Sequence, residues 1–169
     1  METQPEVWLR GPVHGVPDAL MPAAHAFLQT MEDVEQAAGD LTLDQLWQTP
    51  GGAASVGFHI LHLAGSTDRL LTYARGERLS ADQRASLAAE QAPERRTASD
   101  LIAGLRTAID SALSQLRVVP VDTIYEARTV GRAALPTTVV GLMFHAAEHS
   151  QRHAGQLVTT AKIIRARAG

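Results

Sequence analysis

Residues 55–76 read SVGFHILHLAGSTDRLLTYARG, and the fold turns on how they are read. Ser55 is a side-chain N-cap placed ahead of an apolar-rich run, Arg75 falls in the last turn and Gly76 supplies the stop. The stretch is therefore a helix with both of its ends written into it. Inside it His62 sits in the apolar context Ile60-Leu61-His62-Leu63-Ala64. An imidazole turned inward at that position needs a hydrogen bond or a metal to offset its burial.

Working outward toward the N-terminus, Leu20, Ala24, Phe27, Leu28, Met31 and Val34 recur at three- and four-residue spacings. They predict an amphipathic helix from about Pro17 to about Ala38, stopped by Gly39 and Asp40. Leu43, Leu46 and Trp47 suggest a short helical turn before the breakers Thr49-Pro50-Gly51-Gly52. In the other direction, the polar stretch from Ser80 to about Arg96 holds one short helix and a loop. Ser99 or Thr97 then caps a further helix, whose Leu101, Leu105, Ile109, Leu113 and Leu116 keep helical spacing until Pro120. Residues 121–135 (VDTIYEARTVGRAAL) carry no helical stripe and read as an irregular excursion with a short extended piece. Pro136 suits the first turn of a last helix, in which Val139, Leu142, Met143, Ala146 and Leu157 continue the stripe through Ile163 and Ile164. Four long amphipathic helices with long connections predict an all-α four-helix bundle, one domain over residues 1–169, with short extra helices and a long irregular connection before the last helix.

Composition narrows the function classes. With 15 Lys plus Arg against 18 Asp plus Glu, the net charge of -3 offers no positive field for a phosphate backbone, so nucleic acid is not expected as a partner. The chain contains no cysteine, so a metal site has only imidazole and carboxylate to draw on. The opening METQPEVWLRGPVHGVP lacks the basic start and apolar core of a signal peptide, and no apolar run of about 18 residues follows. A cytoplasmic protein with no membrane association is the expectation.

Five of the seven histidines fall in two helical runs, His59 and His62 in one, His145, His149 and His153 in the other. A helix turns about 100° per residue, so His149 and His153 lie within about 40° of each other, one turn apart, and can share an ion. His145 and His149 are spaced the same way, whereas His145 and His153 are about 12 Å apart along the axis and cannot easily meet at one ion. Spacing alone does not choose between the two pairs, and it leaves the same ambiguity between His59 and His62. Three neutral imidazoles from facing helices would leave coordination positions open to water or substrate, the arrangement of a catalytic rather than a structural ion.

GFHILHLAGSTDRLLTYARG at 57–76, followed by LPTTVVGLMFHAAEHSQRHAGQL at 135–157, resembles the DinB-like superfamily. In that family one histidine comes from the second long helix in an H-L-A-like context, and two come from a later H-x-x-x-H segment that ends in G-Q. The resemblance thereby implies His62, His149 and His153 as ligands of a divalent ion, often zinc or nickel, in an up-down-down-up bundle. His59 and His145 do not correspond to the family's ligands and, with Arg69, become candidates for lining the pocket. Ser66 shares the stripe of His62 and is expected to pack, Arg152 and Gln156 lie near the ligand face, Glu148 points further round, and His14 and His25 have surface or packing roles. The resemblance also implies a metal-dependent enzyme acting on a small molecule, either S-transferase-like with a low-molecular-weight thiol or hydrolase-like, and in a homodimer. A metal-binding stress-response protein without turnover is the alternative.

Overall fold

The helix starts follow from residues that satisfy the first unpaired N–H groups. In the computed structural model, which describes residues 4–93 and 95–168, helix α3 (Val56–Ala74) begins where Ser55 Oγ accepts the N–H of Phe58 at 3.1 Å. The short helices α2 (Leu43–Leu46) and α4 (Ala81–Ala89) and the long helix α5 (Ala98–Val118) each open on a reciprocal capping box, Thr42 with Gln45, Ser80 with Gln83 and Thr97 with Asp100. Helix α1 (Met21–Ala38) is led in by a 3-10 turn at Asp18–Leu20, and α6 (Val139–Ala168) closes the chain. Most stripe residues are buried as spaced, among them Phe27, Met31 and Val34 on α1, Ile60 and Leu63 on α3, Leu101, Leu105, Ile109 and Leu116 on α5, and Met143, Leu157 and Ile164 on α6, whereas Leu28 is only partly buried and Ile163 is exposed. At about 1.5–3 kcal/mol for each fully buried large aliphatic or aromatic side chain, these rows dominate the stability of the bundle.

Helix directions can be read from the cross-helix contacts. His59 meets His153 and His62 meets His149, so α3 and α6 run antiparallel. Gln151 donates to the Ala26 carbonyl and Arg165 pairs with Asp40, so α6 runs parallel to α1. Arg106 pairs with Glu35 and Arg117 donates to the His14 carbonyl, so α5 runs against α1. The four long helices thus go up, down, down and up. Two parallel neighbours, α3 and α5, need a long crossover, which α4 and its flanking loops provide. Among the described residues no helix is long and apolar enough to cross a membrane.

The connection before α6 departs from expectation. It is not irregular throughout, because Ala127–Val130 (β1) and Leu135–Thr138 (β2) form an antiparallel hairpin in which Thr129 faces Pro136. Pro136 lies in β2 and not in the first turn of the last helix. Proline biases the preceding Leu135 toward extended backbone, and in a two-stranded hairpin its missing N–H costs little. Thr138 is the residue that starts α6, its Oγ1 accepting the N–H of Gly141 at 3.1 Å.

Candidate metal centre

The antiparallel pairing of α3 and α6 brings four histidines together in the middle of the bundle. His62, His149 and His153 each offer one ring nitrogen such that all three lie within 4.8 Å of one another. Nε2 of His62 is 2.9 Å from Nε2 of His149, and the His153 ring centroid is 4.5 Å from those of both other rings. The second nitrogens are engaged elsewhere for two of them. Nδ1 of His62 lies 2.8 Å from Oε2 of Glu90, and Nδ1 of His153 lies 3.1 Å from Nδ1 of His59.

These partners settle which nitrogen of His62 is available. An ionised carboxylate only accepts, so Nδ1 of His62 carries a proton and donates to Glu90, and Nε2 is the nitrogen left facing the cluster. His153 is held in the same way by a hydrogen bond between its Nδ1 and that of His59, one ring donating to the other. Histidines that bind metals characteristically give their other N–H to a carboxylate, carbonyl or neighbouring acceptor, which fixes ring orientation and tautomer. Burial, reinforced by the neighbouring imidazoles, lowers the pKa of both His59 and His149 to about 4, and burial lowers that of His153 as well. These rings are neutral at physiological pH, the form in which imidazole can coordinate. The donor set fits a divalent ion, and its lack of charge would leave the ion's own charge undiminished.

Glu90, which sequence reasoning missed, organises the outer side of the site. Its side chain is 6% exposed and that of Arg69 8% exposed, and Arg69 Nη1 donates to Oε1 at 2.6 Å. Burial works to raise the Glu90 pKa, but the hydrogen bonds from His62 and Arg69 outweigh it and hold the carboxyl below its ordinary value. Gly65 makes room for the pair, since a Cβ there would stand 2.5 Å from both Arg69 Nη1 and Glu90 Oε1. Phe58 completes the surround by stacking on His62, with centroids 5.3 Å apart and planes 12° from parallel.

The remaining candidates separate cleanly. His59 is buried against His153, and Arg69 reaches the cluster only through Glu90. His145 is half exposed with Nδ1 3.5 Å from Glu148, and its ring centroid is 5.5 Å from that of His149, outside the three-histidine group. Ser66 is buried and bonds back to the Leu63 carbonyl at 3.4 Å, a packing role. Glu148 is a half-exposed partner of Arg152, and His25 contacts the Gly11 carbonyl at 3.0 Å.

Residues 26–157 match the family model of the DinB superfamily, and the chain belongs to that superfamily. Among solved structures the fold is similar to that of YfiT from Bacillus subtilis, described as "a probable metal-dependent hydrolase with an unusual four-helix bundle topology". The two share 15% sequence identity with a TM-score of 0.66, over 91% of this chain and 93% of that one. No curated protein matches by sequence.

Proposed function

We propose that the chain is a metal-dependent enzyme acting on a small molecule, its divalent ion held by His62, His149 and His153. The observation that carries the proposal is the convergence of three imidazoles whose ring nitrogens lie within 4.8 Å, one of them oriented by a buried carboxylate. Zinc or nickel suits an all-nitrogen set of this kind. When bound, such an ion supplies Lewis acidity and lowers the pKa of a small nucleophile, water or a thiol, toward neutrality.

The chain's own residues have distinct parts in this scheme. Glu90 holds the proton of His62 on Nδ1 and so keeps Nε2 free, while Arg69 keeps Glu90 ionised in its buried position. His59 holds the ring of His153 from the opposite side. Phe58 closes one face of His62 and excludes water from it.

Two reaction types fit a site that activates a small nucleophile. Hydrolysis is supported by the description of YfiT. Thiol-dependent transfer requires an external low-molecular-weight thiol, because the chain has no cysteine of its own. Assays of the zinc- and nickel-loaded protein distinguish them: turnover of chlorodinitrobenzene only when a thiol is added indicates a transferase, and thiol-independent cleavage of an activated ester indicates a hydrolase. Bound metal with neither activity would favour a metal-binding protein without turnover. We place the enzyme in the cytoplasm and expect a homodimer, for which the exposed Phe144 of α6 offers apolar surface.

A further inference from the structure

A half-open cavity of about 610 Å³ adjoins the histidine cluster. His59 of α3 and Arg152, Gly155, Gln156 and Ile163 of α6 line it, and the loop at Ala53 forms another part of its wall. The cavity comes within one imidazole of the cluster, because the His59 that lines it is 3.1 Å from His153. Its size is within the range of small-molecule sites, roughly 300–1,000 Å³.

The charge of this cavity is one-sided. No carboxylate lines it among the described residues, and its one permanent charge is the Arg152 guanidinium. Both Nε and Nη2 of Arg152 are spent on the same oxygen of Glu148, and Nη1 makes no hydrogen bond among the described residues. A guanidinium presents a planar set of donors suited to an oxyanion, and here the competing carboxylate is half-exposed and within reach of solvent. At Gly155 a Cβ would meet nothing within 4 Å, so α6 leaves open space just beside the guanidinium, while Ala53 and Ile163 offer apolar surface.

We infer that this cavity binds the substrate, and that the substrate is a small molecule bearing an oxyanion, a carboxylate or phosphate group, which Arg152 takes up while its apolar remainder rests against Ala53, Gly155 and Ile163. The inference rests on the metal-dependent reading above for calling the ligand a substrate. It adds the class of molecule and the residue that selects it.

The test is calorimetric titration of the full chain, zinc-loaded and chelated, with phenylacetate, phenyl phosphate and the neutral phenylacetamide. Arg152 is exposed and the Gly155 position is open, so Arg152→Met and Gly155→Met both leave the core packing untouched. At least one of the oxyanions should bind at least tenfold more tightly than phenylacetamide, and should lose at least tenfold in each variant but not in Lys162→Met. Equal affinity for the charged and neutral probes, indifference to Arg152→Met, or no binding of either oxyanion at millimolar concentration would overturn the inference. Binding that vanishes on chelation and ignores Arg152 would also overturn it, since the oxyanion would then sit on the ion. Metal content of the same samples is read separately by mass spectrometry. Arg152-dependent binding by a protein that takes up no metal would overturn the metal reading and the substrate assignment, leaving an oxyanion site alone.

Discussion

Arg69→Met tests whether the Arg69–Glu90–His62 chain is the built-in support of the site. The two charged side chains are 8% and 6% exposed and 2.6 Å apart, so removing the guanidinium strands a carboxylate in a place water scarcely reaches. Breaking a buried ion pair from one side costs about 3–5 kcal/mol. His62 still donates to the other oxygen, so the lower end, about 3 kcal/mol, applies. At about 2–4 °C per kcal/mol for a domain of this size, the melting temperature should fall by roughly 6–12 °C. Urea denaturation of the chelated protein reads the same loss without a contribution from bound metal. Adding Glu90→Gln removes the stranded charge, so the double variant should recover more than half of the deficit. A loss under about 1 kcal/mol in Arg69→Met, or strict additivity in the double variant, would refute the reasoning.

Three further outcomes follow from the same geometry. His59 and His149 have pKa values lowered to about 4 by burial, so between that value and the unfolded value of about 6.5 the unfolded chain binds more protons. Stability of the chelated protein should therefore rise with pH across that window and level off above it, and a urea stability that is flat between about pH 4 and pH 6.5 contradicts this. Gly65→Ala should lower the melting temperature although alanine favours a helix by about 1 kcal/mol, because its Cβ collides with the Arg69–Glu90 pair, and a stabilised variant would show that the pair moves aside at no cost. Light scattering should give a dimer mass that persists on dilution into the low micromolar range, and a monomer mass at every concentration removes the homodimer.

The bundle was legible in the sequence because its signals are local. Apolar residues such as Leu101, Leu105 and Ile109 repeat at helical spacing, and Ser55 and Thr97 mark their helix starts in a way that the hydrogen bonds reproduce. The hairpin was less legible, since Pro136 is as suitable for an opening helical turn as for a short edge strand and four-residue strands hold too few alternations to register. The candidate site was legible as a set of histidines but not as an arrangement. Which of His59 and His62 meets which of the α6 histidines depends on α3 and α6 being antiparallel, and helix direction leaves no mark on residue spacing. Glu90 was out of reach for a different reason. It follows α4, a helix without buried residues of its own, and enters the site only because the crossover between α3 and α5 lays that helix end over Gly65.

The central claim is that His62, His149 and His153 together hold a divalent ion, and metal content of the purified chain tests it most directly. Elemental analysis after loading with zinc or nickel and exhaustive dialysis should find about one ion per chain in the unaltered protein, a sharp loss in each of His62→Ala, His149→Ala and His153→Ala, and retention in His145→Ala and His25→Ala. Metal retained near the unaltered level in all three ligand variants would contradict the account, and a loss in His145→Ala equal to that in His153→Ala would move the ligand pair one turn along α6.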